Sequence, residues 1–213
     1  IGEQFPAALR VIQKAVRRHK GVLWKASPVR GIPLGLAGDF QRLNAGVALK
    51  ASEVLSTRFG FTLNRKLSLQ GLRSKNWKGR MELFHRGGRP FILDGAHNPI
   101  SVKALVRSLQ KDLGTKKDAW LVFGAMNDKN SREMLRIFSR SFSKVILTGV
   151  SGSRAKSVSM LLREANALFP CMLAAASAAE ALEILQKIRG HERVVVSGSF
   201  YLVGEARRLL RHG

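Results

Sequence analysis

Residues 91–101 read Phe-Ile-Leu-Asp-Gly-Ala-His-Asn-Pro-Ile-Ser, and the fold follows from how this stretch is read. Phe91, Ile92 and Leu93 form a short, wholly apolar run, the pattern of a strand buried on both faces of a parallel sheet. Asp94 to Asn98 follow at its carboxyl end, and Pro99 opens a helix. Asn98 is a favoured N-cap type, and proline at the first helical position gives up no hydrogen bond that the helix needs. Strand, tight polar turn and helix start are the units of an open α/β sheet, whose ligands bind beyond the carboxyl ends of the strands. Asp94 and His97 are therefore expected to face that crevice. Taken alone, the stretch reads equally well as a polar turn that binds nothing.

Downstream the pattern repeats. Strand-like runs at 119–123, 144–147, 171–174 and 193–196 alternate with helical patterns at 99–113, 131–141, 157–168, 178–188 and 200–210. In the first of these helices Val102, Leu105, Val106 and Leu109 share one face. Such alternation implies a Rossmann-like, mostly parallel sheet with helices on both faces. Just upstream, 81–84 and 91–93 are two short strands joined through Arg86-Gly87-Gly88-Arg89-Pro90, a turn by its glycines and proline. The turns at 94–98, 124–130 and 197–199 each follow an apolar strand and carry polar residues. All three should lie along one edge of the sheet.

The N-terminal third has a different texture. Residues 4–19 suit an amphipathic helix with Ala8, Val11, Ile12 and Ala15 on one face. The chain starts at Ile1, without Met and close to a helical pattern, which reads as part of a longer protein. After a turn-rich stretch, Gly38-Asp39-Phe40-Gln41-Arg42-Leu43-Asn44-Ala45 leads into a second helix with Leu43, Val47, Leu49, Ala51, Val54 and Leu55 as its apolar face. Gln41 and Asn44 share a face of its first turn. They are either caps or readers of a base and sugar. A short helix or turn at 67–72 and a cation-rich loop at 76–80 mark a domain junction.

Composition narrows the classes. An apolar content of 45% and a charged content of 24% belong to an ordinary globular protein, and 213 residues suffice for one large or two small domains. No apolar run reaches the length of a membrane span, and no secretory signal pattern opens the chain. The single cysteine, Cys171, rules out an internal disulfide framework, fits a reducing compartment and sits in an apolar run as a core residue. No Cys/His cluster has metal-ligand spacing, so no metal ligands are expected in this chain. A net charge of +23 attracts polyanions, whether nucleic acid or small multiply charged substrates. The excess is dispersed and comes with one tyrosine, which argues against a single-strand stacking platform. Neither G-x-x-x-x-G-K-[ST] nor a G-x-G-x-x-G after a strand is present.

Five motifs together resemble a known family. L-D-G-A-H-N-P at 93–99 is similar to the signature of folylpolyglutamate synthase and dihydrofolate synthase, members of the Mur ligase superfamily. G-D-F-Q-R-L-N-A at 38–45 resembles the family's G-x-H-Q-x-x-N-A, which closes its central nucleotide-binding domain. W-K-G-R at 77–80 resembles W-P-G-R at the opening of its C-terminal domain. F-G-A-M-N-D-K-N at 123–130 resembles its G-x-x-x-D-K-D loop, and G-S-F-Y-L-V-G-E at 198–205 resembles its G-S-L-Y-L-V-G ending. The motifs run in the family's order across nearly the whole chain.

The resemblance implies ATP- and Mg²⁺-dependent ligation in the cytoplasm, by a protein expected to be a monomer. The carboxylate of a folate or dihydropteroate is phosphorylated, and the amine of L-glutamate attacks the acyl phosphate. It also implies roles. Asn44 would contact the adenine or ribose, and Arg80 would reach the phosphates from the domain junction. Asp94 would accept from a ribose hydroxyl or orient Arg80, and His97 would lie near the transferring phosphate or the incoming glutamate. Ser197 and Ser199 would help hold glutamate. Residues 1–59 would end the central ATP-binding domain, 60–78 would be a linker, and 79–213 would be the glutamate-ligation domain. Because the family's P-loop and metal ligands would lie upstream, this portion alone is expected to be inactive. Three departures stand out: Phe40 for the family's His, Lys78 for its Pro, and Asn130 for its last Asp. Two rivals remain: another Mur-type amino-acid ligase, acting on a peptidoglycan precursor or cyanophycin, and a non-catalytic nucleic-acid-associated protein that kept the fold.

Overall fold

A computed structural model describes residues 1–74, 77–113 and 118–212. The residues at 75 and 76 in the expected junction loop lie outside the described residues. The chain divides into two compact units, Ile1–Asn76 and Trp77–Gly213.

The first unit holds α1 (Pro6–Arg18), α2 (Phe40–Phe59) and α3 (Arg65–Ser74). Pro6 opens α1, and Arg17 and Arg18 lie in its last turn, where cations suit the helix dipole. The inward face of α1 differs from the one expected. Val11, Ala8 and Ala15 are exposed, while Leu9, Ile12, Gln13 and Val16 are half-buried. Both sets share Ile12 and the spacing of a helical stripe, so periodicity alone could not choose between them. On α2 the buried residues are Gln41, Ala45 and Gly46. The expected apolar face is half-buried at Leu43, Val47, Leu49 and Val54 and exposed at Ala51 and Leu55. Gly46 is small for a steric reason. A side chain at position 46 would overlap the carbonyl oxygen of Ser27.

The second unit runs β1 (Glu82–Arg86), β2 (Arg89–Leu93), α4 (Pro99–Leu113), β3 (Trp120–Phe123), α5 (Ser131–Ser139), β4 (Lys144–Thr148), α6 (Val158–Ala165), β5 (Cys171–Ala175), α7 (Ala178–Lys187), β6 (Val194–Ser197) and α8 (Phe200–His212). Its six strands are ordered β1-β2-β6-β3-β4-β5. All neighbours are parallel except β1, which returns antiparallel along β2 through the Gly87-Gly88 turn. β2 starts at Arg89 rather than Phe91. Pro90 is tolerated there because the ladder to β6 begins only at the Phe91–Val194 pair.

Side chains alternate across the sheet. Phe91, Leu93, Trp120, Val122, Ile146, Val194 and Val196 pack with Leu182, Leu185, Leu202, Val203 and Leu210 of α7 and α8. Phe123 turns to the other face, where its ring meets Phe138 of α5 edge-on at 6.0 Å. Val102, Leu105, Val106 and Leu109 of α4 are all buried, as their spacing requires. Cys171 is a correction. It is free and half-buried on β5, because β5 ends the strand order and has a neighbour on one side only.

Candidate functional site at the carboxyl edge of the sheet

β2, β6 and β3 are adjacent and parallel, so their exit turns meet at one edge. The Gly198 amide donates to the Ala96 carbonyl at 2.9 Å, and Ser197 Oγ donates to the same oxygen at 3.3 Å. Gly198 has φ +107°, and a Cβ there would lie 2.5 Å from the Gly124 carbonyl oxygen. Only glycine satisfies both demands.

Within this knot, Asp94 is 2% exposed. Its Oδ1 accepts from the Ala96 amide and its Oδ2 from the Met81 amide, both at 2.9 Å. Burial pushes its carboxyl above the usual aspartate value, and the two amides, Arg80 and His97 pull against that shift. Asp94 thus faces the backbone of β2's exit turn and of Met81 rather than standing open in a crevice. Met81 has φ +45°, a conformation that costs a non-glycine residue about 1–3 kcal/mol. It persists because its neighbours are tied on every side. Gly79 N–H meets Glu82 Oε2 at 2.8 Å, the Gly79 carbonyl accepts from the Gly95 amide at 2.9 Å, and Arg80 N–H reaches the Trp77 carbonyl at 3.2 Å.

Arg80 projects from this braced turn. Its guanidinium carbon lies 4.8 Å above the centre of the Phe200 ring, at the start of α8. His97 approaches the same ring, with centroids 5.6 Å apart. Gly95 makes the approach possible, because a Cβ there would overlap the Phe200 ring. His97 Nδ1 sits 2.9 Å from the Gly95 carbonyl oxygen. A carbonyl only accepts, so Nδ1 carries the proton and Nε2 of the neutral ring is left as an acceptor. Asn98 caps α4 as expected, its Oδ1 accepting from the Ser101 amide at 2.9 Å.

The remaining candidates are placed differently. Ser197 and Ser199 are buried, and their hydroxyls make local backbone bonds, Ser197 to Ala96 and Ser199 from the Tyr201 amide at 3.2 Å. Asn44 belongs to the first unit, is exposed, and donates to Gln41 Oε1 at 2.8 Å. The Asp128-Lys129 pair closes on itself at 2.7 Å, and Asn130 accepts from the Glu133 amide at 3.2 Å as the N-cap of α5. Among the described residues no group of three His, Cys, Asp or Glu side chains converges as a metal site. The Arg80 guanidinium, a set of cationic donors, suits a phosphate group rather than a metal ion.

Sequence reasoning missed four participants. Glu82 and Arg207 form an ion pair at 3.0 Å beside the Arg80 turn. Their signal was a carboxylate on the inward-facing positions of an edge strand. Phe200 was quoted only as part of a motif, and the cation over its ring, Arg80, is too far away in sequence for the pairing to be read. Lys156 gave no signal. It is buried, bonds Ser131 Oγ at 2.6 Å and Glu164 Oε1 at 2.7 Å, and its amide holds the Ala125 carbonyl at 2.9 Å.

Residues 79–200 match the family described as Mur ligase, glutamate ligase domain. The chain belongs to that family. Among Mur ligase relatives, a folylpolyglutamate synthase of Lacticaseibacillus casei is 28% identical over 188 residues, 87% of this chain and 42% of the relative. The crystal structure of a folylpolyglutamate synthase from Thermotoga maritima superposes with a TM-score of 0.69 at 29% identity, over all of this chain and 53% of that one. A Mycobacterium tuberculosis folylpolyglutamate synthase complexed with ADP gives a TM-score of 0.83 at 22% identity, over all of this chain and 55% of that one, a likeness of fold. The chain therefore spans about half the length of these relatives. No helix among the described residues is long and apolar enough to cross a membrane.

Proposed function

We propose that this Mur ligase chain is the C-terminal portion of an ATP-dependent carboxylate–amine ligase that adds L-glutamate to a folate or dihydropteroate, in the cytoplasm and as a monomer. On this reading residues 1–59 end a central ATP-binding domain, 60–78 link, and 79–213 carry glutamate ligation, so the portion alone does not turn over. One observation carries the reading: Arg80 and His97 flank the Phe200 ring where three strand-exit turns interlock. The names of the similar proteins support the acceptor and the nucleotide.

ATP with Mg²⁺ would supply the phosphoryl group that activates the acceptor's carboxylate. This chain's residues do the rest. Arg80 offers a flat fork of N–H donors to phosphate oxygens, held on one side by the ring beneath it. His97 presents Nε2 to the incoming amine as a proton acceptor, or to a phosphate as a donor once protonated. Asp94 orients Arg80 through the Met81 amide, the second of its two expected roles. Asn44 would meet the adenine or ribose with its carbonyl oxygen, since its amide is given to Gln41. Ser199 would meet glutamate with its hydroxyl proton, and Ser197 through the turn that it closes.

The test is glutamate-dependent ADP release by the full-length parent chain, comparing dihydropteroate, tetrahydrofolate and no acceptor. Release that requires a pterin acceptor and falls at least about a hundredfold in Arg80→Ala is the expected result. Acceptor-independent or absent release from a folded parent overturns the reading.

A further inference from the structure

Arg80 is flanked by residues 79 and 81, both left-handed, at φ +70° and +45°. Such a turn is free to point its side chain in several directions unless something outside it fixes the backbone. Asp94 fixes one side, through the Met81 amide. The other side is fixed by Glu82, whose Oε2 accepts the Gly79 amide at 2.8 Å while both of its oxygens lie 3.0 Å from Arg207 Nε. The Glu82 side chain is 10% exposed and that of Arg207 17%, so the pair is largely withdrawn from water. Arg207 is itself held flat, with its guanidinium carbon 5.7 Å from the centre of the Phe84 ring.

Arg207 and Phe200 lie seven residues apart on α8, two turns along one face. One rigid helix therefore supplies both the ring under the Arg80 guanidinium and the cation that fixes the carboxylate behind the Arg80 backbone. We infer that Glu82, locked by Arg207, is a positioning residue for Arg80, and that α8 sets where the Arg80 guanidinium stands. The inference rests on the proposed ligase reading for its kinetic consequence and on geometry alone for its structural one.

The experiment compares wild-type full-length parent with Glu82→Ala, Glu82→Gln, Arg80→Ala and the Glu82→Ala/Arg80→Ala double variant. It reads glutamate-dependent ADP release and the NMR resonance of the Arg80 Nε–H, which the Phe200 ring current displaces. Glu82→Ala is expected to lower kcat about tenfold or more, with the glutamate KM within about twofold. Glu82→Gln keeps an acceptor for the Gly79 amide and is expected to stay within about threefold of wild type. The double variant is expected to be no worse than Arg80→Ala, because a residue acting through Arg80 has nothing left to position. The Arg80 resonance should move toward its unshifted value in Glu82→Ala.

A Glu82→Ala loss that adds in full to that of Arg80→Ala overturns the inference, and so does an unmoved Arg80 resonance in Glu82→Ala. If Glu82→Ala does not fold, Glu82→Gln must still shift the Arg80 resonance in the same direction, to a smaller extent, or the inference falls. A folded wild-type parent without acceptor-dependent release sinks the ligase reading instead, and the resonance alone then decides the positioning.

Discussion

Asp94 pairs a costly burial with two backbone amides, and the burial dominates. Its carboxyl value is raised in the folded chain, so the native state binds the proton more tightly than the unfolded one. Stability therefore falls as pH rises from the ordinary aspartate value of about 3.8 through the raised native value, and is regained on acidification across that window. Asp94→Asn cannot titrate and should lack this slope. Urea midpoints of both proteins at several pH values should converge on the acid side of their neutral-pH difference. Parallel profiles would mean that the amides cancel the burial, and a slope of the opposite sign that they outweigh it. At the neighbouring position the stacked plane matters as much as the charge. Arg80→Lys keeps a cation but loses the face over Phe200 and the fork of donors, and kcat/KM of the parent should drop about tenfold or more. A Lys variant with wild-type kinetics would show that charge alone suffices.

The turns after β2, β3 and β6 stand or fall together, because each touches the next. Gly198→Ala would place a Cβ against the Gly124 carbonyl and the Phe123 ring at a positive φ, and should destabilise the second unit by about 2–4 kcal/mol in thermal or urea unfolding. Lys156→Met leaves Glu164 and Ser131 without their shared partner and should destabilise by about 3 kcal/mol. A midpoint unchanged by Lys156→Met would show that water replaces the ammonium. These dependencies explain what could be read in the chain beforehand. The parallel core and its helices were legible because buried strands such as β2, β3 and β6 carry unbroken apolar runs, at 91–93, 120–123 and 194–196, and their helices carry a one-sided stripe. The β1–β2 hairpin was legible from its glycine turn, but the pairing of β2 with β6 was not, since two strands and a tight turn say nothing of what the second strand pairs with next. Nor was the inward face of α1, where two apolar stripes overlap. At the site, the residue types of Arg80, Asp94 and His97 were readable from the motifs. That Asp94 serves the backbone, and that Glu82 and Arg207 brace the turn, depended on pairings between positions 13 and 125 apart in sequence.

Half of the positive excess lies in the smaller unit, where residues 1–76 hold 14 Lys and Arg against 3 Asp and Glu, within a chain total of +23. A field of that size draws any polyanion, so affinity for nucleic acid should be measurable at low salt and lost by about 200 mM. Fluorescence anisotropy with a generic duplex across a salt series checks this. A complex that survives at 200 mM would favour the nucleic-acid-associated rival over the ligase. A different consequence follows from the strand order. β6, the last strand among the described residues, lies between β2 and β3, and pairs Val194 with Phe91 and with Trp120. A ribosome making this chain has produced five of the six strands before the central one exists. Until then the sheet is two separate pieces with two raw inner edges, each able to recruit a stray strand. The hinge between soluble product and aggregate is therefore a matter of timing, settled only when residues 194–197 have left the exit tunnel.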